Sequence, residues 1–234
     1  MLSELSLSDR MKNFEKATSL RFTSGTPVIV RLDGVGFSNW TARLDGRPFN
    51  TTFSQIMNLT GAFLARETNA KVCFVQSDEI SLVYLPSEKT GELPLYGGKV
   101  NKINSILAAM ASAKFNELAL CEGLANKVAY KLAYFDCRSF EVPDLEEATN
   151  AIYARFKDCV RNSISMWASS MYSHKALEGK NLDQRLEMCE NLSHPWTGLD
   201  DRTKYGCLVK EDIFHFLNLS DMTHDERKAV LFER

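Results

Sequence analysis

Two short segments with β-strand patterns each end in acidic residues, and this pairing constrains the fold more than any other feature of the sequence. In VIVRLDGVG (Val28–Gly36) apolar side chains recur at every second position, which is the period of a half-buried strand. KVCFVQSDEISLVY (Lys71–Tyr84) holds two β-prone runs separated by four polar residues, which is short enough for a hairpin. If the first strand lies beside this hairpin, Asp33, Asp78 and Glu79 meet at one place.

These acidic residues can be explained by turn chemistry or by metal binding. Asp-Gly and Ser-Asp-Glu are common turn sequences, so turn chemistry explains either segment taken singly. Taken together, the two segments favour metal binding, because two buried strands that end in uncompensated carboxylates would repel each other unless a cation bound them. Magnesium accepts one or two carboxylates and completes its coordination with substrate phosphates. The two segments therefore predict a site for a divalent cation.

The following segments place these strands in an α+β fold. Apolar residues at helical spacing predict helices over Thr52–Thr68 and within Val100–Phe115, and Ala133–Val142 reads as a fourth strand. The order strand, helix, strand, strand, helix, strand is that of the ferredoxin-like arrangement, an antiparallel βαββαβ sheet covered by two helices. This is also the palm layout of two-metal nucleotidyl-transfer enzymes.

We expect two parts in the chain. Residues 1–143 are predicted to form the palm catalytic domain with a short N-terminal helix. Residues 144–234 are predicted to form a helical C-terminal extension that packs on the palm and contributes to binding. The extension begins with a long helix over Leu145–Trp167, and Cys207–Val209 is a candidate short strand within it.

Charge and cysteine usage exclude several classes of protein. The net charge of −2 argues against a strongly basic nucleic-acid footprint, although a local basic face remains open. The six cysteines never fall in a C-x-x-C pair, so a zinc site or a disulfide framework is not expected. The N-terminus lacks the apolar core of a signal peptide, and no run approaches a membrane span. We therefore expect a cytoplasmic protein without a membrane partner.

Several further residues are suited to phosphate or sugar groups. Gly34 and Gly36 relax the backbone after Asp33 so that amide groups can approach phosphates, although a plain turn explains them equally well. Lys99 and Lys102 begin a helix, where positive charge is better placed beside an anionic partner; two solvated lysines are the alternative. A stripe along the long helix includes Arg155 and Asn162 and is either a solvated face or a binding face.

These motifs together resemble those of a known family. RLDGVGFSNW, QSDEISLVY, KVNK, FDCR and DCVRNSISMWA occur in the order and spacing of the tRNA(His) guanylyltransferase family, which includes guanylyltransferase-like 3′–5′ polymerases. The resemblance covers roughly residues 27–210, and a late KYGCLV segment resembles the family's C-terminal strand.

The resemblance implies a palm enzyme that adds nucleotides to the 5′ end of tRNA. ATP or GTP first activates the 5′-monophosphate, and the 3′-hydroxyl of an incoming nucleotide then attacks the activated end. Two Mg²⁺ ions would be bound by Asp33, the carbonyl of Gly34 and Asp78. Glu79 belongs to the same catalytic group as a neighbour of the metals, either behind their direct ligands or as an occasional ligand. The implied contacts to nucleotide, triphosphate or tRNA are Gly34, Val35, Gly36, Phe37, Ser38, Asn39, Lys99, Lys102, Arg155 and Asn162.

The sequence departs from the eukaryotic members at two motifs. Those members carry H-I-N-N at positions 160–163 and D-G-R-N-F-H at positions 33–38, where this chain has VRNS and DGVGFS. The RNS form resembles the branch that repairs truncated tRNA 5′ ends, so strict tRNA(His) specificity is not expected. The family also implies a homo-oligomer, commonly a tetramer. Two alternatives are a nucleotide cyclase on a related palm and a non-catalytic ferredoxin-like RNA-binding module.

Overall fold

The computed structural model describes residues 5–87, 89–91 and 95–233. Within these residues it contains the following helices and strands in chain order: α1 (Leu7–Lys16), β1 (Val28–Gly34), α2 (Phe37–Thr41), α3 (Thr51–Thr68), β2 (Val72–Gln76), β3 (Glu79–Tyr84), α4 (Val100–Cys121), α5 (Leu124–Lys127), β4 (Phe135–Glu141), α6 (Leu145–Met171), α7 (His174–Leu177), α8 (Leu182–Glu190), α9 (Asp201–Tyr205), β5 (Cys207–Lys210), β6 (Ile213–His215) and α10 (His224–Phe232). The expected α+β class is confirmed.

One antiparallel sheet runs through the molecule in the strand order β4-β1-β3-β2-β5-β6. The hairpin strands β2 and β3 pair directly, and β3 lies against β1 so that Leu32 faces Ile80 across the ladder. On the other side of β1, strand β4 pairs so that Asp33 faces Asp136. Strand β1 is therefore paired on both sides, and its acidic end lies between the hairpin turn and the start of β4.

The alternation along β1 separates two hydrophobic cores. Val28, Val30 and Leu32 are buried in the core formed with α3 and α4. Ile29 faces the opposite side of the sheet, where the core is completed by α6 residues such as Ile152. Since successive side chains of a strand point to opposite faces, Arg31 and Asp33 lie on the α6 face.

The helices begin and end where local chemistry favours it. The side chain of Asn50 caps α3 by accepting a hydrogen bond from the amide of Phe53 at 2.7 Å. The helix ends at Asn69, which adopts the left-handed conformation common at helix C-termini. Gly61 lets α3 approach the sheet closely, because a Cβ there would lie 2.6 Å from a methyl group of Val75.

The C-terminal part differs from the expected helical extension. Cys207–Lys210 is a strand, as its pattern predicted, but it pairs with β2 and extends the central sheet. Strand β6 then pairs with β5, so the sheet has six strands instead of four. The reason is that the free edge of β2 carries unpaired backbone groups, and a strand from the C-terminal part satisfies them. Residues after 143 are thus part of the same sheet structure and not helices alone.

None of the described helices is long and apolar enough to cross a membrane.

Candidate active site

The predicted meeting of Asp33 and Asp78 is observed. Strand pairing places Asp33 directly opposite Glu79 at the start of β3. The amide of Gly34 donates a hydrogen bond of 3.1 Å to the carbonyl oxygen of Asp78, which holds the hairpin turn against the end of β1. The turn is tight because Ser77 adopts a positive φ of 47°. Two carboxylates from segments far apart in sequence therefore lie at one edge of the sheet.

The surroundings of Asp33 and Asp78 disfavour the ionised form of both carboxyl groups. Burial raises the pKa of Asp33, and the charges of Asp78, Glu79 and Asp136 raise it further, opposed by Arg138. Burial also raises the pKa of Asp78, with hydrogen bonds from its own backbone amide and the Ser77 hydroxyl acting in the opposite direction. Carboxylates held in this way gain stabilisation from a bound cation.

Glu79 has a different environment from the two aspartates. Its side chain is almost fully buried, and Arg155 donates two hydrogen bonds to its two carboxylate oxygens, Nε to Oε1 and Nη2 to Oε2, each 2.7 Å long. Gln76 and Ser81 donate to Oε1 at 3.2 and 3.4 Å. The Nε atom of Arg31 lies 3.9 Å from Oε2 of Glu79. In this arrangement protein donors bind both carboxylate oxygens of Glu79, which suits a residue that supports the metal site from behind, and its part in catalysis stays a prediction.

The same pair removes Arg155 from the predicted phosphate contacts. Besides Glu79, its guanidinium binds Asp158 one turn along α6, with Nη1 2.5 Å from Oδ2. Burial alone would lower the pKa of Arg155, but the hydrogen bonds and charges of Glu79 and Asp158 outweigh it and raise the pKa. Arg155 is therefore a structural cation that joins α6 to the hairpin.

A large open cavity of about 760 Å³ lies beside Asp78. Its walls come from the hairpin turn, the segment from α2 to α3, α6, and the residues before β5. Of the predicted contacts, Phe37, Ser38, Asp78 and Asn162 line it. The remaining polar lining residues are Thr41, Arg47, Asn50, Ser54, Asn58, Gln76, Ser77, Ser163, Ser169, Ser170, Arg202 and Thr203.

The loop after Asp33 is divided between the core and the solvent. The ring of Phe37 is 2% exposed and packs among Trp40, Phe115 and Phe135. It forms part of the cavity wall from within the core, whereas Ser38 and Asn39 are exposed. Gly34 is required by this packing, since a Cβ at that position would lie 2.3 Å from the Phe37 ring.

Lys99 and Lys102, the candidate contacts to triphosphate or tRNA, lie at the other end of the sheet from the two aspartates and do not line the cavity beside Asp78, so a contact of either lysine with those groups stays a prediction. Lys99 forms a bridge with Arg21, and nearby Thr23 donates its amide to Glu141. Glu141 pairs with the first residue of β1, roughly 16 Å from Asp33 at about 3.3 Å per residue. The physical reason is that α4 begins after the end of β3, and β3 runs away from the hairpin turn.

Sequence reasoning missed the cavity wall provided by the C-terminal part. Arg202 and Thr203 reach the cavity because β5 pairs with β2, and no local sequence pattern predicts this strand pairing. Gly206 is a second missed residue. It combines a φ of 72° with a close approach, since a Cβ there would lie 2.7 Å from the carbonyl oxygen of Val75. The sequence signal that could have indicated Gly206 is its position as an isolated glycine directly before an apolar run.

The donor set fits magnesium better than a metal held by protein ligands alone. Among the described residues, no group of three or more His, Cys, Asp or Glu side chains is arranged to hold a metal. Asp33 and Asp78 supply two carboxylates whose raised pKa values favour a cation, and Mg²⁺ usually completes its coordination with water and substrate phosphates. The nearby cavity is of a size that suits a nucleotide.

Comparisons with known proteins give a consistent result. A family model described as tRNAHis guanylyltransferase matches residues 8–143. A bacterial tRNA(His) guanylyltransferase (Thg1)-like protein solved with ATP is 29% identical, with a TM-score of 0.87 over 97% of this chain and 100% of that chain. Another such bacterial structure, solved with GTP, is 31% identical, with a TM-score of 0.72 over 88% of this chain and 84% of that one.

Two further proteins are similar over most of the chain. The tRNA(His) guanylyltransferase of Saccharomyces cerevisiae shares the fold, with 19% identity and a TM-score of 0.72 over 90% of this chain and 96% of that chain. An uncharacterised protein of Acanthamoeba polyphaga mimivirus is 28% identical in an alignment of 235 residues, and that alignment covers 92% of this chain and 80% of that protein.

Proposed function

The chain belongs to the tRNAHis guanylyltransferase family and is a nucleotidyltransferase, and we propose that it adds nucleotides to the 5′ end of a tRNA in the 3′–5′ direction. The observation that carries this proposal is the convergence of Asp33 and Asp78 beside a cavity large enough for a nucleotide. In this proposal strands β1 to β4 with α3 and α4 act as a polymerase palm.

The site residues divide the work of binding. Asp33, Asp78 and the carbonyl of Gly34 would hold two Mg²⁺ ions. Those ions, when bound, would lower the pKa of the attacking hydroxyl and neutralise charge at the leaving phosphate. The hydrogen bond from Gly34 to Asp78 keeps the two carboxylates together, and the Arg155–Glu79 pair fixes the start of β3 behind them.

ATP and GTP are the proposed nucleotide substrates, in keeping with the ligands of the similar bacterial proteins. The cavity offers Asn162 and Ser38 as hydrogen-bonding groups on opposite walls. ATP or GTP would first activate the 5′-monophosphate of the tRNA. The 3′-hydroxyl of the incoming nucleotide then forms a bond to the activated 5′ phosphorus, and the bond to the activating group breaks.

We propose templated repair of 5′-truncated tRNAs over addition of one guanosine to tRNA(His). The support is the absence, at positions 33–38 and 160–163, of the histidines that the eukaryotic motifs carry. We further propose a cytoplasmic location and a homotetramer. The residues after 143 would contribute the second wall of the nucleotide cavity and part of the tRNA contact.

The decisive experiment is an extension assay. A 5′-monophosphorylated tRNA lacking its first nucleotide is incubated with ATP and labelled GTP, with Mg²⁺ or with EDTA. We expect Mg²⁺-dependent extension that Asp78→Asn abolishes, while the exposed surface control Asp183→Asn extends like the unmodified protein. Cyclic nucleotide formed without RNA would favour the cyclase, and failure to extend any full-length or truncated tRNA would refute the proposal.

A further inference from the structure

Large apolar side chains are exposed directly beside the acidic end of β1. Val35 is 56% exposed, Leu132 is 56% exposed and Tyr134 is 58% exposed. Val35 and Tyr134 are joined by a hydrogen bond of 2.8 Å from the Val35 amide to the Tyr134 carbonyl oxygen, two residues beyond the pair Asp33–Asp136. We refer to these three residues as the apolar edge.

Tyr134 lies on the same face of the sheet as Asp33. Ala133 and Phe135 are buried in the core with α3 and α4, and the hydrogen bond from Val35 continues the strand pairing to Tyr134, so the side chains at 134 and 136 point to the opposite face. Asp136 is the cross-strand partner of Asp33 on that face. Tyr134 is therefore two residues, about 7 Å along the strand, from a residue that neighbours the proposed metal site.

The segment that carries Tyr134 is firmly held. Asn116 of α4 accepts the amide of Ala133 at 2.9 Å and donates to its carbonyl oxygen at 2.8 Å. The indole of Trp40 donates to the carbonyl oxygen of Lys131 at 2.8 Å. A fixed backbone that presents a tyrosine to solvent is pre-organised for a flat ligand, because little freedom is lost on binding.

We propose that the ring of Tyr134 stacks on the terminal base of the RNA whose 5′ end is extended, and so positions that end over Asp33. This inference rests on the proposed function, which requires the RNA end to lie beside the aspartates. Aromatic stacking accepts every base, as an enzyme that acts on several end sequences needs. Tyr134 is a positioning residue that acts through the RNA end it holds.

The charges nearby favour RNA over a second copy of the chain as the occupant. Arg138, on the same face as Tyr134, has a half-exposed side chain that forms a 3.0 Å ion pair with the equally exposed Asp136 and leaves part of its guanidinium open to solvent. Lys131 is exposed, and its ammonium group has no ion pair within the described part of the chain. Cations around an aromatic platform suit a phosphate backbone. A second protein copy seated on the apolar edge would instead cover the approach to Asp33.

Binding measurements test the inference independently of catalysis. The probe is a 5′-monophosphorylated tRNA acceptor-stem RNA with 2-aminopurine as its first base, and the variants are Tyr134→Ala, Tyr134→Phe and Phe140→Ala. Phe140 is a matched control, since it is an exposed aromatic residue on the same face and strand at the end remote from Asp33. GTP affinity is measured by calorimetry, and thermal unfolding confirms that each variant folds.

We expect Tyr134→Ala to weaken RNA binding about tenfold and to remove the quenching of 2-aminopurine, with GTP affinity unchanged. Tyr134→Phe should retain binding and quenching, and Phe140→Ala should match the unmodified protein. RNA affinity unchanged in Tyr134→Ala, or an equal loss in Tyr134→Phe, would overturn the inference. If the RNA binds and is quenched but is never extended, the proposed function fails while the stacking role stands.

Discussion

Arg155 on α6 binds Glu79 on β3 through two hydrogen bonds of 2.7 Å, although 76 residues separate them in sequence. The pair is largely buried, with side-chain exposures of 22% and 11%. It connects the longest described helix to the hairpin that carries Asp78. Removal of one partner would leave a buried charge that has lost its two shortest hydrogen bonds, which is the costly way to break an ion pair.

We therefore predict that Arg155→Ala lowers the free energy of unfolding by about 3 kcal/mol, because the buried Glu79 loses its two shortest hydrogen bonds and its nearest cation, and Arg31 remains only at 3.9 Å. Arg155→Lys should recover part of this loss, since an ammonium group cannot form both hydrogen bonds at once. Urea denaturation measures both effects. In the double variant with Glu79→Gln the losses should be clearly less than additive; strict additivity would show that the two side chains do not interact energetically.

The acidic pair should reduce stability when no metal is present. The folded-state pKa of Asp33 is raised above its ordinary value of 3.8, so the folded protein holds its proton to higher pH than the unfolded chain does. Stability is then unaffected below the unfolded pKa and falls as the pH rises through the window between the two values. Asp33→Asn should match the unmodified protein near pH 3 and melt a few degrees higher at pH 7 in EDTA.

The control for this prediction is Asp183→Asn, which changes an exposed aspartate on α8. It should leave the melting temperature close to that of the unmodified protein at both pH values. Added Mg²⁺ with GTP should raise the melting temperature of the unmodified protein and have little effect on Asp33→Asn. A variant that melts lower at pH 7 in EDTA would contradict the electrostatic account.

Gly34→Ala should damage both stability and activity. The new Cβ would lie 2.3 to 2.7 Å from three atoms of the Phe37 ring, and that ring is packed against Phe115 and Phe135. Overpacking of this kind costs about 1–3 kcal/mol. Gly198→Ala is the matched control, since the nearest atom to its Cβ would be 3.5 Å away on Pro195. Equal melting temperatures for the two variants would count against the packing argument.

Substitutions in the cavity wall and at the distant lysines should have different effects on the KM for the nucleotide. Asn162→Ala is expected to raise the KM for the nucleotide about five- to tenfold, since one hydrogen bond of the cavity is lost. Lys99→Ala with Lys102→Ala should leave that KM unchanged at saturating tRNA, because both lysines lie at the far end of the sheet. Steady-state rates with varied GTP distinguish these cases, and a raised nucleotide KM in the lysine variant would show that a neighbouring copy completes the site.

Local patterns were sufficient for the strands and for the meeting of the two aspartates. The alternation of β1 and the short polar turn of the hairpin predict both elements, and antiparallel pairing puts the end of β1 beside that turn. The same reasoning could not place Lys99, because the start of a helix does not show at which end of the sheet it lies. It also failed for Arg202, which reaches the cavity through the pairing of β5 with β2.

The sequence by itself determined strands β1 to β4, helices α3, α4 and α6, and the pair of carboxylates that converge. Only the tertiary structure decided which acidic residues are available for a ligand. Asp78 and Glu79 are adjacent in sequence, yet one lines an open cavity and the other is bound by a guanidinium from a helix 76 residues away. A carboxylate's role depends on the charges and donors that surround it, and those are set by contacts between distant segments that no local pattern encodes.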